Sequence, residues 1–372
     1  MFAGGTNMAP GLCRKKVKCG YDFLLYGALE NDDRHITLRK REVSPYPFLK
    51  LDYPKLEDDF YSNTIDWSYP SMSSHGFVAV AAQNEICFFA PEKNKFSCGL
   101  ICKKRITALK WRPRSQSTIA FGTNSGGFYL QEMFANTAGK TDKNTRRHKY
   151  EKRVVDISWR NTTDVLLSSG SSVYFLDTRE PEHACQNTPL SGHTDQICGI
   201  EWNRDETLFA TGGNDNLVCV WDIRHPSKPL ATLAEHRAGV RAIAWSPFEK
   251  NTLMTAAGVA DKSIKIWNVN GGTKSLQTVQ TGSQICAMRW SQNVSSPWWS
   301  ELITAHGFSD NDVRIWRVKQ STVQQPVIVQ PRPASILQTR ENNKRILHLS
   351  LSPRADIVAG VSAELGIFFW RI

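Results

Sequence analysis

A short apolar run ending in tryptophan returns along this sequence: TIDW at 64–67, ALKW at 108–111, DISW at 156–159, GIEW at 199–202, AIAW at 242–245 and AMRW at 287–290. A seventh copy, LHLSL at 347–351, carries Leu351 where the others carry Trp. Roughly 20 residues behind each comes a second run: ICFF (86–89), FYLQ (128–131), VYFLD (173–177), VCVWD (218–222), IKIWN (264–268), VRIW (313–316) and IFFW (367–370). The units recur mostly every 43–48 residues and alternate β-branched and aromatic side chains between Gly, Asn and Asp turns. That period and chemistry belong to a β-propeller with four strands per blade. The expectation is an all-β, seven-bladed propeller over 46–372, preceded by a flexible, mostly disordered basic arm over 1–45.

The last unit supplies strands near 346–351, 357–361 and 367–371, and its outer strand is missing. An open third strand would leave an unpaired edge. The segment PFLKLD at 47–52 precedes the first unit and is expected to fill that place, locking the ring.

Composition sets limits on function. The 372 residues are 41% hydrophobic, enough for a large core. No apolar run approaches the roughly 20 residues of a membrane-spanning helix. The opening stretch MFAGGTNMAPGLCRKK lacks an apolar signal core, so a nuclear and cytoplasmic location is expected. Nine cysteines, several inside strand patterns (Cys87, Cys198, Cys219, Cys286), suit reduced buried thiols. Cys98 and Cys102 find no second Cys or His pair, so neither a metal nor another cofactor is expected. The net charge of +11 is uneven: residues 140–153, KTDKNTRRHKYEKR, hold seven basic residues against two acidic ones. Basic clusters can mark nucleic-acid contact. This one interleaves no aromatics suited to base stacking, so a solvated loop is the better reading.

Polar residues recur in register with the strands. The fourth unit has His193, Thr211, Asp215 and Trp221; the fifth has His236, Thr255, Asp261 and Trp267. The Asp-to-Trp spacing is six in both, and six again from Asp310 to Trp316. Such a set forms a buried hydrogen-bonded chain that stiffens each blade, which makes His193 and Asp215 framework rather than acid and base. Asn214 and Asn216 flank Asp215 and are not needed by that framework. An amide donates and accepts, so the pair could read polar side chains; equally, Asn simply tolerates the left-handed turn. No phosphate loop, dinucleotide fingerprint, HExxH or GxSxG occurs, and Ser125 and Ser169 lack a matched His, so an enzyme is not expected.

LDYPKLEDDFYSNTIDWS (51–68), SGHTDQICGIEW (191–202), GGNDNLVCVWD (212–222) and ITAHGFSDNDVRIW (303–316) resemble the Fizzy and Fizzy-related family. These are WD-repeat activators that recruit substrates to the anaphase-promoting complex, a ubiquitin ligase. The resemblance runs from about residue 33 to the end. It implies a ligase-docking box, Asp-Arg-aromatic-Ile-Pro-x-Arg, matched here by Asp33, Arg34, Ile36 and Arg39, with His35 and Thr37 as departures. Without that context the segment reads as a basic linker. Thr37 lacks proline's fixed φ, so binding must order it. The family's Ile-Arg tail has no counterpart after Arg371 and Ile372. Docking through the box alone, a specialised member, or an incomplete chain are the alternatives.

The resemblance also implies two degron sites. The Lys-Glu-Asn reader maps onto Asp59, Asn214, Asn216, Gln284 and Arg345, with Asp59 for the lysine, Arg345 for the glutamate and the amides for the asparagine. Val259 replaces a usual threonine. Spacing independently places Gln284 and Arg345 on one rim, each six residues before Trp290 or Leu351. The destruction-box reader maps onto Asp52 and, at the second acid, Leu365, with Glu364 adjacent, which implies weaker reading of that motif. Trp298 and Trp299 either anchor a partner or plug a blade edge. The departures suggest a specialised branch, meiotic or developmental, such as the Cortex proteins. Implied partners are ligase subunits, degron-bearing substrates such as cyclins, and checkpoint or inhibitor proteins. Neither a membrane nor nucleic acid is implied. The alternatives are a WD-repeat scaffold without ligase docking and a ribonucleoprotein binder.

Overall fold

A computed structural model describes residues 43–372 apart from 54, 71–75, 134–144, 181–188, 292–298, 320–327, 331, 340, 342–343 and 364. The described residues form seven antiparallel sheets, six of four strands and one of five. Their innermost strands are Ile65–Trp67, Ile106–Trp111, Val154–Trp159, Ile197–Trp202, Val240–Trp245, Gln284–Trp290 and Ile346–Leu351. Each ends on the recurring Trp or on Leu351. Neighbouring blades cover both faces of a sheet, so interior strands such as Leu208–Gly213 and Val240–Trp245 are buried at every position rather than alternately. Ile243 and Trp245 of the fifth blade share one core with Ala210 and Val218 of the fourth. The Trp245 indole N–H also donates to Glu201 O at 3.0 Å across that seam.

The ring closes where the terminal blade takes Leu49–Leu51 as its outer strand. Leu49, Lys50 and Leu51 pair with Phe369, Phe368 and Ile367. Phe369 then packs on Trp67 and Phe89 of the first blade, with ring centroids 6.2 and 5.2 Å away. The closing strand passes so near Gly366 (φ +116°) that a Cβ there would run into Leu51 O.

Several features differ from the sequence reading. The basic stretch is not all loop, because Thr145–Lys149 is the outer strand of the second blade, paired with Gly127–Glu132. Strand alternation turns His148 inward while its neighbours Arg147 and Lys149 face out and stay exposed, a period of two that the surrounding charges mask. Trp299 opens a nine-residue strand, Trp299–Gly307, opposite Lys319; Trp298 lies outside the described residues. In the sixth blade, Asp310 does not take the framework place of Asp215. It pairs with Arg314, and His306 bridges Ser283 and Thr304 at 2.7 Å each, with Trp316 donating to Thr304 at 2.7 Å. Thr281 stands where the other blades have His193 or His236, nine residues before the inner-strand Trp, so the imidazole comes from the second strand instead. No helix among the described residues is long and apolar enough to cross a membrane.

Candidate functional site

The fourth blade shows what the polar turn at 212–216 does. His193 Nδ1 meets the Asp215 carboxylate at 3.0 and 3.1 Å, its Nε2 meets Thr211 Oγ1 at 2.9 Å, and Trp221 Nε1–H donates to the same hydroxyl at 2.9 Å. The fifth blade repeats this through His236, Asp261, Thr255 and Trp267. Burial alone would raise the Asp261 pKa, but bonds from His236, Ser263 and the Arg237 N–H outweigh it and hold the carboxyl below its ordinary range. Asp215 also accepts from the backbone N–H groups of Thr194 and Leu217, so its oxygens are committed to the framework.

Its neighbours are placed differently. Asn216 has φ +66°, which the turn requires and Asn accepts. Among the described residues its side-chain amide has no hydrogen-bond partner. Asn214 is exposed; its Nδ2 donates to Asp195 at 2.9 Å and its Oδ1 accepts from the Tyr61 hydroxyl at 3.3 Å. Tyr61 belongs to the lead-in to the first blade, so this bond spans the mouth of the central channel.

The lead-in carries the rest of the site. Asp59 Oδ1 accepts the Tyr61 N–H at 2.9 Å, while Oδ2 takes Arg105 at 2.6 Å and Arg153 at 2.5 Å. Arg105 also pairs with Glu57. Beside Asp59, Asp58 receives Arg345 Nε at 2.5 Å. Arg345 further reaches Gln284 Oε1 at 3.4 Å and lies 4.6 Å over the Phe308 ring. Arg345, Asp58, Phe308 and Asn311 line an open cleft of about 360 Å³. A continuous set of contacts thus runs Asn214, Tyr61, Asp59, Asp58, Arg345, Gln284, with Asn216 in the same turn as Asn214. The neighbouring Val259 side is also exposed.

Beneath this rim, Arg241 of the fifth blade closes the channel. Its guanidinium donates to Ser62 O at 2.5 Å, Leu347 O at 2.8 Å, Cys286 O and His348 Nδ1, and lies 5.3 Å over Phe60. Burial, then the charges of Arg241, Arg289 and Arg345, hold His348 well below the ordinary histidine pKa, so it stays neutral and accepts. Ser62 Oγ in turn donates to Asp59 O at 2.9 Å. The lead-in is therefore held from below by blades five, six and seven.

Arg105, Arg153, Tyr61 and Arg241 were not singled out from sequence. A signal was present for three of them. The six-residue spacing that marks Gln284 and Arg345 also marks Tyr61 before Trp67, Arg105 before Trp111 and Arg153 before Trp159. Arg241, inside an apolar strand, had no such mark.

On the side of the propeller, the Asp52 side chain is 84% exposed and sits 3.3 Å from Lys50. Leu365 packs against the core between the sixth and seventh blades. Glu364 and the box residues Asp33, Arg34, Ile36 and Arg39 lie outside the described residues. Among those described, no group of His, Cys, Asp and Glu could hold a metal ion.

Residues 51–370 match a family described as the CDC20/Fizzy WD40 domain. The chain is 30% identical over 348 residues to the "Anaphase-promoting complex subunit cdc20" of Dictyostelium discoideum, covering 91% of this chain and 63% of the relative. It is 31% identical over 341 residues to the "WD repeat-containing protein srw1" of Schizosaccharomyces pombe, covering 90% and 55% respectively. It therefore spans little more than half the length of such relatives. A chain in the crystal structure of a mitotic checkpoint complex superposes with a TM-score of 0.73 at 28% identity, covering 94% of this chain and 99% of that one. By sequence and by fold, the chain belongs to the CDC20/Fizzy family of WD40 propellers.

Proposed function

We propose that this chain recruits degron-bearing proteins, cyclins among them, to the anaphase-promoting complex ubiquitin ligase during mitotic or meiotic division. The degron binds across the rim, and the box at 33–39 docks on the ligase. The carrying observation is that Asp59, Asn214, Gln284 and Arg345, from four separate parts of the ring, converge through a chain of contacts at one channel mouth. A carboxylate, amides and a guanidinium gathered there suit a short polar peptide. Such an adaptor works by binding, in the nucleus and cytoplasm, and assigns no bond-breaking chemistry to its own side chains. Checkpoint or inhibitor proteins carrying the same motif would compete for the rim.

Destruction-box reading is the weaker activity. Asp52 is exposed but already paired with Lys50, and Leu365 offers its partner position only an apolar side chain. Reconstituted ubiquitination of a substrate bearing a Lys-Glu-Asn box tests the proposal. Arg345→Ala should lower turnover about tenfold or more, and Arg34→Ala with Arg39→Ala should abolish co-purification with the ligase. Full activity in both variants would refute the reading.

A further inference from the structure

The Asp59 carboxylate is not waiting for a cation. Arg105 and Arg153 both donate to its Oδ2, at 2.6 and 2.5 Å, and the Asp59 side chain is only 13% exposed. Arg105 also bridges to Glu57. The cluster Glu57, Asp59, Arg105, Arg153 is therefore electrically neutral: two carboxylates answer two guanidiniums. An ammonium brought to Asp59 would lose hydration and meet two like charges around the one oxygen it seeks, so it would gain no net attraction.

We infer that Arg105 is a specificity-determining residue that fills the lysine position of the rim, so that this chain reads the glutamate and asparagine of a degron while discriminating little at the residue before them. The inference rests on the proposed peptide-reading role of the rim. The site selects a peptide led by a neutral residue as well as one led by lysine. Arg105 carries this effect rather than Arg153, because it covers both Glu57 and Asp59. Removing it leaves two carboxylates against one guanidinium, a net negative pocket open to an ammonium. Its side chain is 36% exposed against 24% for Arg153, and its place on the rim lies outside the core clusters, so truncation leaves the blade packing in place.

A binding cycle on the full chain tests this, using one peptide containing Lys-Glu-Asn and one with norleucine in place of the lysine. The native chain should bind the two within about twofold, while Arg105→Ala should bind the lysine peptide about tenfold tighter than the native chain does and prefer it over norleucine by a similar factor. Arg105→Gln, which keeps a polar side chain of similar reach, should show the same gain if the alanine variant folds poorly. If Arg105→Ala and Arg105→Gln leave the lysine preference where the native chain has it, the inference is overturned while the peptide-reading role stands. If neither peptide binds the native chain or either variant, both fall.

Discussion

Gly239 has no side chain, and Asn214 occupies the space one would need. A Cβ at 239 would stand 2.8 Å from Asn214 Oδ1. Gly239→Ala should therefore push Asn214 off the rim and raise the Kd for a rim peptide severalfold, with the melting temperature nearly unchanged; peptide titration beside thermal unfolding separates the two effects. Arg241 behaves oppositely. Replacing it with Met leaves Ser62 O and Leu347 O without their donor, and the expected loss is about 2–3 kcal/mol of stability in denaturant titration. These residues show how far the site was legible. Asp59, Asn214 and Asn216 came from the family resemblance, Gln284 and Arg345 from spacing as well, while the acids Asp58 and Glu57 were not singled out. The counter-ions of Asp59 were missed too, because a charge reads the same in sequence whether it faces solvent or another residue. Applying the six-residue spacing to every unit would have recovered Arg105 and Arg153.

Within a blade, the unit of stability is the relay from indole to hydroxyl to imidazole to carboxylate. Thr211→Val removes the group that both Trp221 and His193 use. It should cost about 1–3 kcal/mol in chemical denaturation, since two buried polar atoms are orphaned for one isosteric change. The fourth and fifth relays were readable from the His, Thr, Asp and Trp spacing. The sixth was not, because its imidazole moved to His306 on the second strand while an Asp with the right spacing stayed behind to pair Arg314. Spacing records where a partner can stand, not which group has taken its place. The strand at Thr145–Lys149 was hidden for a related reason: three basic residues out of five look like a loop until the inward His148 sets the phase.

At the scale of the ring, acid should weaken the fold. Burial is the first cause holding both His306 and His348 well below the ordinary value of 6.5. An imidazole that stays neutral when folded but takes a proton when unfolded adds stability that is full above about pH 6.5 and declines as the pH falls below it. Glu201, pushed up to about 7 by burial, works the other way, losing its contribution as the pH rises through that value. The difference between the native chain and His348→Asn, which keeps an acceptor for Arg241, isolates the histidine: thermal scans from pH 5 to 7.5 should show a shallower pH slope in the variant. Closure gives another global test. Gly366→Ala should lower the melting temperature by several degrees by forcing Leu49–Leu51 away from its neighbour. The seven-unit ring and the strand that completes it were legible because repetition and an unpaired edge are both properties of sequence.

That last pairing joins residues near the start of the propeller to its final strand, so almost the entire domain must be synthesised before its first strand finds a partner. Until then a nascent chain on the ribosome carries an incomplete ring, with the sticky flank of Gly366–Arg371 still unmade and Leu49–Leu51 bare. Contacts of such long range form late and leave time for wrong associations. Production of this protein should consequently depend on chaperone capacity far more than its final stability suggests, and chains released before residue 366 should be captured by chaperones or precipitate.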